Sequence, residues 1–222
     1  MGRHYAPGED PSAEAIEQAL HDVVRALEGS GVAYLLMGGV GTATMARPRT
    51  TDDLDLFVVP EDAPRVLEIL AGAGFDTEET DPSWLYKAFR HGVLIDVIFR
   101  SSGDIYLDDQ MLARAQVREF KGVEVPVISP EDLLVIKAVA ANEDVPHHWY
   151  DAIATISRGD LDWDYVLARA LRAGPRRVLS LLLYAESNDV AIPLAPIRGL
   201  IAELYPSLLA DTASEDHAPT AR

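Results

Sequence analysis

The stretch Thr51-Asp52-Asp53-Leu54-Asp55-Leu56-Phe57-Val58-Val59 alternates acidic and apolar residues before running into a purely apolar end. In a strand, alternate residues share a face. Leu54, Leu56 and Val58 then point into a core, while Asp53 and Asp55 stand side by side on the other face. Two carboxylates held that close repel, and the repulsion has to be offset by solvent or by a cation. Mg²⁺ suits such a pair, because it favours oxygen ligands and is commonly held by one or two carboxylates together with substrate phosphates. An exposed acidic strand end beside a turn is the plainer alternative.

A third acid bears on that choice. Asp96 interrupts Val93-Leu94-Ile95-Asp96-Val97-Ile98-Phe99, where an unpaired carboxylate would be costly to bury. Either it pairs with an arginine such as Arg90 or Arg100, or it joins Asp53 and Asp55 from a neighbouring strand. In the second case the three acids form a site for in-line phosphoryl or nucleotidyl transfer. Upstream, Gly38-Gly39 lies between an apolar strand (32–37) and a short helix (40–45). Glycine lets backbone N–H groups approach an anion, and a helix start favours one there. An ordinary strand–helix turn would use the same residues.

Around these motifs the chain reads as strands and helices. Ser12 caps a helix whose apolar residues Ile16, Leu20, Val23, Val24 and Leu27 recur at helical spacing, and Gly29-Ser30-Gly31 ends it. A helix over 62–73 follows Pro60. Strands at 88–90 and 93–99 meet around His91-Gly92, a helix spans 105–115, and strands at 117–120 and 123–128 meet around Lys121-Gly122. At Ser129-Pro130-Glu131 the pattern turns helical, with Ser129 as cap and Pro130 at the first helical position. The expected class is α/β (α+β), a mixed sheet flanked by helices over 1–128 with a helical region over 129–210. Residues 1–10 read as a loose start and residues 211–222 as a disordered tail.

Composition narrows the function. The 222 residues carry 36 acids against 19 Lys plus Arg, a formal net charge of −17. Such a surface repels phosphate backbones and argues against extended nucleic-acid binding. The absence of cysteine excludes disulfides, thiolate metal sites and a cysteine nucleophile. With no signal-peptide pattern and no apolar run near the roughly 20 residues of a membrane span, a cytoplasmic protein without membrane attachment is expected.

Together, the glycine pair, the thirteen residues (40–52) before Asp53, the acid-apolar-acid strand and the later Asp96 resemble the nucleotidyltransferase superfamily that shares its fold with DNA polymerase β. The run from Met37 to Leu56 looks like the branch of small bacterial nucleotidyltransferases and AbiEii-type toxins, whose Arg-x-Thr-x-Asp-apolar-Asp pattern is matched by Arg49, Thr51, Asp53 and Asp55. Ser129-Pro-Glu-Asp-Leu-Leu-Val-Ile-Lys137 is similar to that branch's Pro-Glu-x-Leu…Lys block. Its lysine implies a phosphate contact where sequence alone would leave Lys137 a solvated helix residue. The block's usual Arg-Asp-x-x-Asp ending is replaced by His147-His148-Trp149-Tyr150-Asp151, which keeps only the last acid.

The resemblance implies an NTP-dependent enzyme that moves a nucleoside monophosphate to an acceptor hydroxyl on a small molecule, a protein or a tRNA end. Asp53, Asp55 and Asp96 would be catalytic and bind Mg²⁺ or Mn²⁺. Gly38, Gly39, Thr42, Arg49, Thr51 and Lys137 would bind nucleotide, with Asp151 and His148 supporting. An antitoxin or other protein partner fits the toxin branch. A domain that binds nucleotide or a partner without turnover is the alternative. Paired histidines can ligate a metal or sit on a surface, and Arg172, Arg176 and Arg177 form a basic cluster that is either a solvated helix end or an acceptor site.

Overall fold

The computed structural model describes residues 11–48 and 50–207. The expected loose start, the expected tail and the nucleotide contact expected of Arg49 lie outside them. Ser12 caps α1 (Ala13–Leu27) by accepting from the Ala15 N–H at 3.2 Å. The helix buries Ile16, Ala19, Leu20, Val23 and Leu27 along one stripe. β1 (Tyr34–Leu36) leads directly into α2 (Gly38–Met45). The glycine pair therefore forms the first turn of the helix rather than a linker before it. β2 (Asp53–Val58) and α3 (Ala63–Gly72) follow, joined by a 3₁₀ turn at Pro60–Asp62.

The sheet continues with β3 (Asp76–Asp81), β4 (Leu85–Arg90) and β5 (Val93–Ile98), then α4 (Asp109–Arg114), β6 (Gln116–Phe120) and β7 (Val123–Val127). Both expected hairpins are present. His91 and Gly92 (φ 54° and 78°) and Lys121 and Gly122 (φ 52° and 76°) supply the paired left-handed residues that a tight two-residue turn needs. β3 was not expected. Its sequence, Asp-Thr-Glu-Glu-Thr-Asp, has no apolar alternation, and it forms as an exposed edge by pairing with β4. The helix expected over 105–115 shrinks to α4, because Ile105 instead bridges back to Ser101 and Asp108 caps the helix at the Met111 N–H.

The strand order is β3-β4-β5-β2-β1-β7-β6, a mixed seven-stranded sheet with β2 in the middle. β2 runs parallel to β5 and antiparallel to β1, and β1 runs parallel to β7. α1 and α3 pack together against the sheet, and α2 packs on β2 and β6.

α5 (Pro130–Ala140) is the hub of the helical region, in contact with α2, α6 (His147–Arg158), α7 (Trp163–Ala173) and α8 (Pro175–Glu186); α9 (Leu194–Leu204) packs on α7 and α8. Surrounded in this way, α5 buries polar residues along with apolar ones, and each needs a partner. Glu131 accepts from the Asp162 N–H, and Asp132 accepts from Ser129 and Tyr165. Arg169 of α7 lies 2.9 Å from Asp132 and also pairs with Asp108. Removing one partner of a buried ion pair strands the other. R169M is expected to cost roughly 3 kcal/mol, read as a lower urea midpoint at unchanged slope.

Candidate active site

The alternation in β2 is borne out: Leu54 and Leu56 are fully buried, and Asp53 and Asp55 are half-buried on the opposite face. The parallel register sets Asp55 directly beside Asp96 on β5. One carboxylate oxygen from each of Asp53, Asp55 and Asp96 then lies within 4.8 Å of the other two. The arginine alternatives for Asp96 are taken elsewhere, Arg90 by Asp22 and Arg100 by Asp104. The cation beside Asp96 is Lys87, whose Nζ stands 3.5 Å from Asp96 Oδ1. That buried oxygen has no hydrogen-bond partner among the described residues.

Crowding shows in the protonation equilibria. Burial, then the charges of Asp53 and Asp96, push the Asp55 carboxyl up to about 7, against the pull of Lys137 and a hydrogen bond from the Gly39 N–H. Asp96 is also raised, first by burial and then by Asp53, with Lys87 opposing. Three hard oxygen donors on two neighbouring strands, with more negative than positive charge among them and their lysines, fit a divalent cation such as Mg²⁺ or Mn²⁺.

The glycines are required by this cluster. Gly38 has φ 55°, and a Cβ there would lie 1.7 Å from Asp55 Oδ2; a Cβ on Gly39 would lie 2.1 Å from Thr51 Oγ1. The bare backbone thus admits the Asp55 carboxylate itself, and the Gly39 N–H is engaged by it. Thr51 donates to Asp53 Oδ1 at 3.1 Å, and buried Thr42 donates to the Gly38 carbonyl at 2.9 Å. Neither threonine is among the residues lining the cavity; their hydroxyls brace the acid strand and the first turn of α2.

That cavity, about 510 Å³, is lined by Gly38, Gly39, Asp53, Asp55, Asp96, Lys137, His147 and His148, among others. Lys137 is buried instead of solvated. It donates to His148 Nδ1 at 3.1 Å and sits 3.4 Å from Asp151 Oδ2. Asp151, wholly buried, also accepts from Arg47 Nε and Nη2 at 3.1 and 2.9 Å. Sequence reasoning missed Arg47 and Lys87. Arg47 is 104 residues from its partner, and no local pattern marks it. Lys87 sits on a strand pair that was expected but was started too late to include it. The arginine cluster divides: Arg172 reaches Gln110, and Arg177 donates to the Ala141 carbonyl.

A parallel β2–β5 pair presenting three carboxylates next to a glycine-opened helix is the candidate site, and comparison of the sequence gives the family. Residues 12–187 match the family described as uncharacterised nucleotidyltransferase, and the protein belongs to that family. No curated protein matches the sequence. Among solved structures, ANT(2'')-Ia in complex with adenylyl-2''-tobramycin is 16% identical, with 78% of this chain and 98% of that chain covered and a TM-score of 0.48. Lincosamide antibiotic adenylyltransferase LnuA with lincomycin bound is 16% identical over 67% of this chain and 99% of that one, TM-score 0.48. An antigenic nucleotidyltransferase-like protein from Paracoccidioides brasiliensis is 16% identical over 86% and 94%, TM-score 0.43. Among the described residues no helix is long and apolar enough to cross a membrane.

The raised Asp55 pKa has a consequence for stability. Folded Asp55 keeps its proton up to about pH 7, whereas an unfolded Asp releases it near 3.8. Between these values the folded state binds more protons, so stability contributed by protonated Asp55 is lost as pH rises toward 7. In chelator, D55N is expected to melt roughly 5 °C above the wild type at pH 8, the gap closing as pH falls toward 4. A gap independent of pH contradicts the assignment.

Proposed function

We propose that the protein is a metal-dependent nucleotidyltransferase that moves a nucleoside monophosphate from an NTP to an acceptor hydroxyl and releases pyrophosphate. The observation that carries this reading is the convergence of Asp53, Asp55 and Asp96 within 4.8 Å in a cavity shared with the first turn of α2 and with Lys137.

Asp53 and Asp55, fixed by Thr51 and by the Gly39 N–H, would hold a divalent cation, with Asp96 completing the set. When bound, such an ion supplies charge neutralisation and alignment for the triphosphate. The chain's own residues do the rest. The start of α2 lies on the β1 side of the acids and favours the triphosphate. Lys137, held by Asp151 and His148, brings a fixed positive charge for the departing pyrophosphate. Asp96, which lines the cavity on the opposite side, takes the acceptor's proton as the oxygen bonds to the α-phosphorus. The bond from the α-phosphorus to the bridging oxygen breaks, and pyrophosphate leaves. A net charge of −17 favours a small molecule or a protein as acceptor, with a tRNA end met only through local contact.

D53N and D55N are each expected to lower NTP-dependent pyrophosphate release by roughly 100-fold or more while the protein stays folded, D55N being the more stable form at pH 8. K137M is expected to lower it by roughly 10-fold or more. Turnover unchanged in D53N or D55N contradicts the reading.

A further inference from the structure

We infer that Lys87 is a resident counter-ion that competes with the metal for Asp96 and has a second berth at Glu78. The inference rests on the metal-dependent reading above. Four residues stand opposite one another across four strands: Glu78 on β3, Lys87 on β4, Asp96 on β5 and Asp55 on β2. Directly opposed residues share a face, and in an antiparallel pair their Cβ atoms are about 4.5–5.5 Å apart. The row therefore reads acid, base, acid, acid from the exposed edge of the sheet into the cavity.

Lys87 lies between two carboxylates on a flexible four-carbon stem. It leans toward Asp96 without closing a hydrogen bond: Nζ stands 3.5 Å from Oδ1, which keeps no hydrogen-bond partner among the described residues. The lysine side chain is 27% exposed, so it has room to turn toward Glu78, which is itself exposed. Lys87 does not line the cavity. It neutralises Asp96 from outside, without occupying the space between the acids.

Two consequences follow for the site. With no metal bound, Lys87 reduces the repulsion that Asp96 adds to Asp53 and Asp55. With a metal arriving, it opposes binding at Asp96 and leaves Asp53 and Asp55 the stronger ligand pair. A unit charge some 5–6 Å from a divalent ion, screened nearly as in water, changes affinity by about five- to tenfold.

The test is titration of the full-length, metal-free protein with Mn²⁺ alone, free Mn²⁺ being read by electron paramagnetic resonance. K87Q is expected to bind about five- to tenfold more tightly than the wild type, and K87R within about twofold of it. In a D96N background, K87Q is expected to change affinity by less than about twofold, because the competition is for that carboxylate. E78Q, a change at an exposed edge that leaves the core intact, removes the second berth and is expected to weaken binding by about two- to threefold. Unchanged or weaker binding by K87Q overturns the inference. Equal tightening with and without Asp96 overturns it too, by showing a general field effect. Unchanged binding by E78Q overturns the second berth. A wild type that binds no Mn²⁺ overturns both this inference and the metal reading beneath it.

Discussion

Like charges crowded by a strand register are the constraint on which the rest of this site depends. Once Asp55 is set beside Asp96 and two residues from Asp53, one oxygen of each acid lies within 4.8 Å of the other two in a half-buried cleft, where the charges repel. Positive charge and hydrogen-bond donors must come from the surroundings. The Gly39 N–H, Lys137 and Lys87 each supply part. Each imposes a demand of its own. A donor that close needs glycines at the start of α2. A buried lysine needs an anion, and Asp151 provides it while also holding Arg47. The chain of partners runs from the centre of the sheet to α6.

That dependence ties the helical region to the candidate site, because Lys137 of α5 and His148 of α6 line the same cavity as the acids. α5 is enclosed by α2, α6, α7 and α8, which would ordinarily favour an apolar helix throughout. It carries Glu131, Asp132 and Lys137 instead, and each is met from a neighbouring helix or its flank. The first two pin α7 and its start against α5. The third opens onto the cavity and draws His148 with it.

Much of the fold was legible in the sequence, because it rests on local signals. Ser12 and Ser129 announced helices that begin where expected, and His91-Gly92 and Lys121-Gly122 announced hairpins that form. The alternation of 53–58 told which residues would be core and which would face the site. What failed depended on pairing. β3 has no apolar rhythm and exists because β4 offers it an edge. Ile105 is apolar but is drawn into a bridge with Ser101. Asp96 was recognised as an anomaly, yet its cation, Lys87, emerged only from the cross-strand register. The backbone partners of Thr42 and Thr51, the Gly38 and Asp53 carbonyls, likewise emerged only from the folded chain.

The central claim is that the three acids gather to share a cation with a nucleotide triphosphate. The most direct measurement is a crystal soaked with Mn²⁺ and a non-hydrolysable NTP, with the ion located by anomalous scattering. The account predicts an anomalous peak ligated by Asp53 and Asp55, with the triphosphate running from it across the start of α2 toward Lys137. A nucleotide bound elsewhere, or an ion with no contact to Asp53 and Asp55, would contradict it.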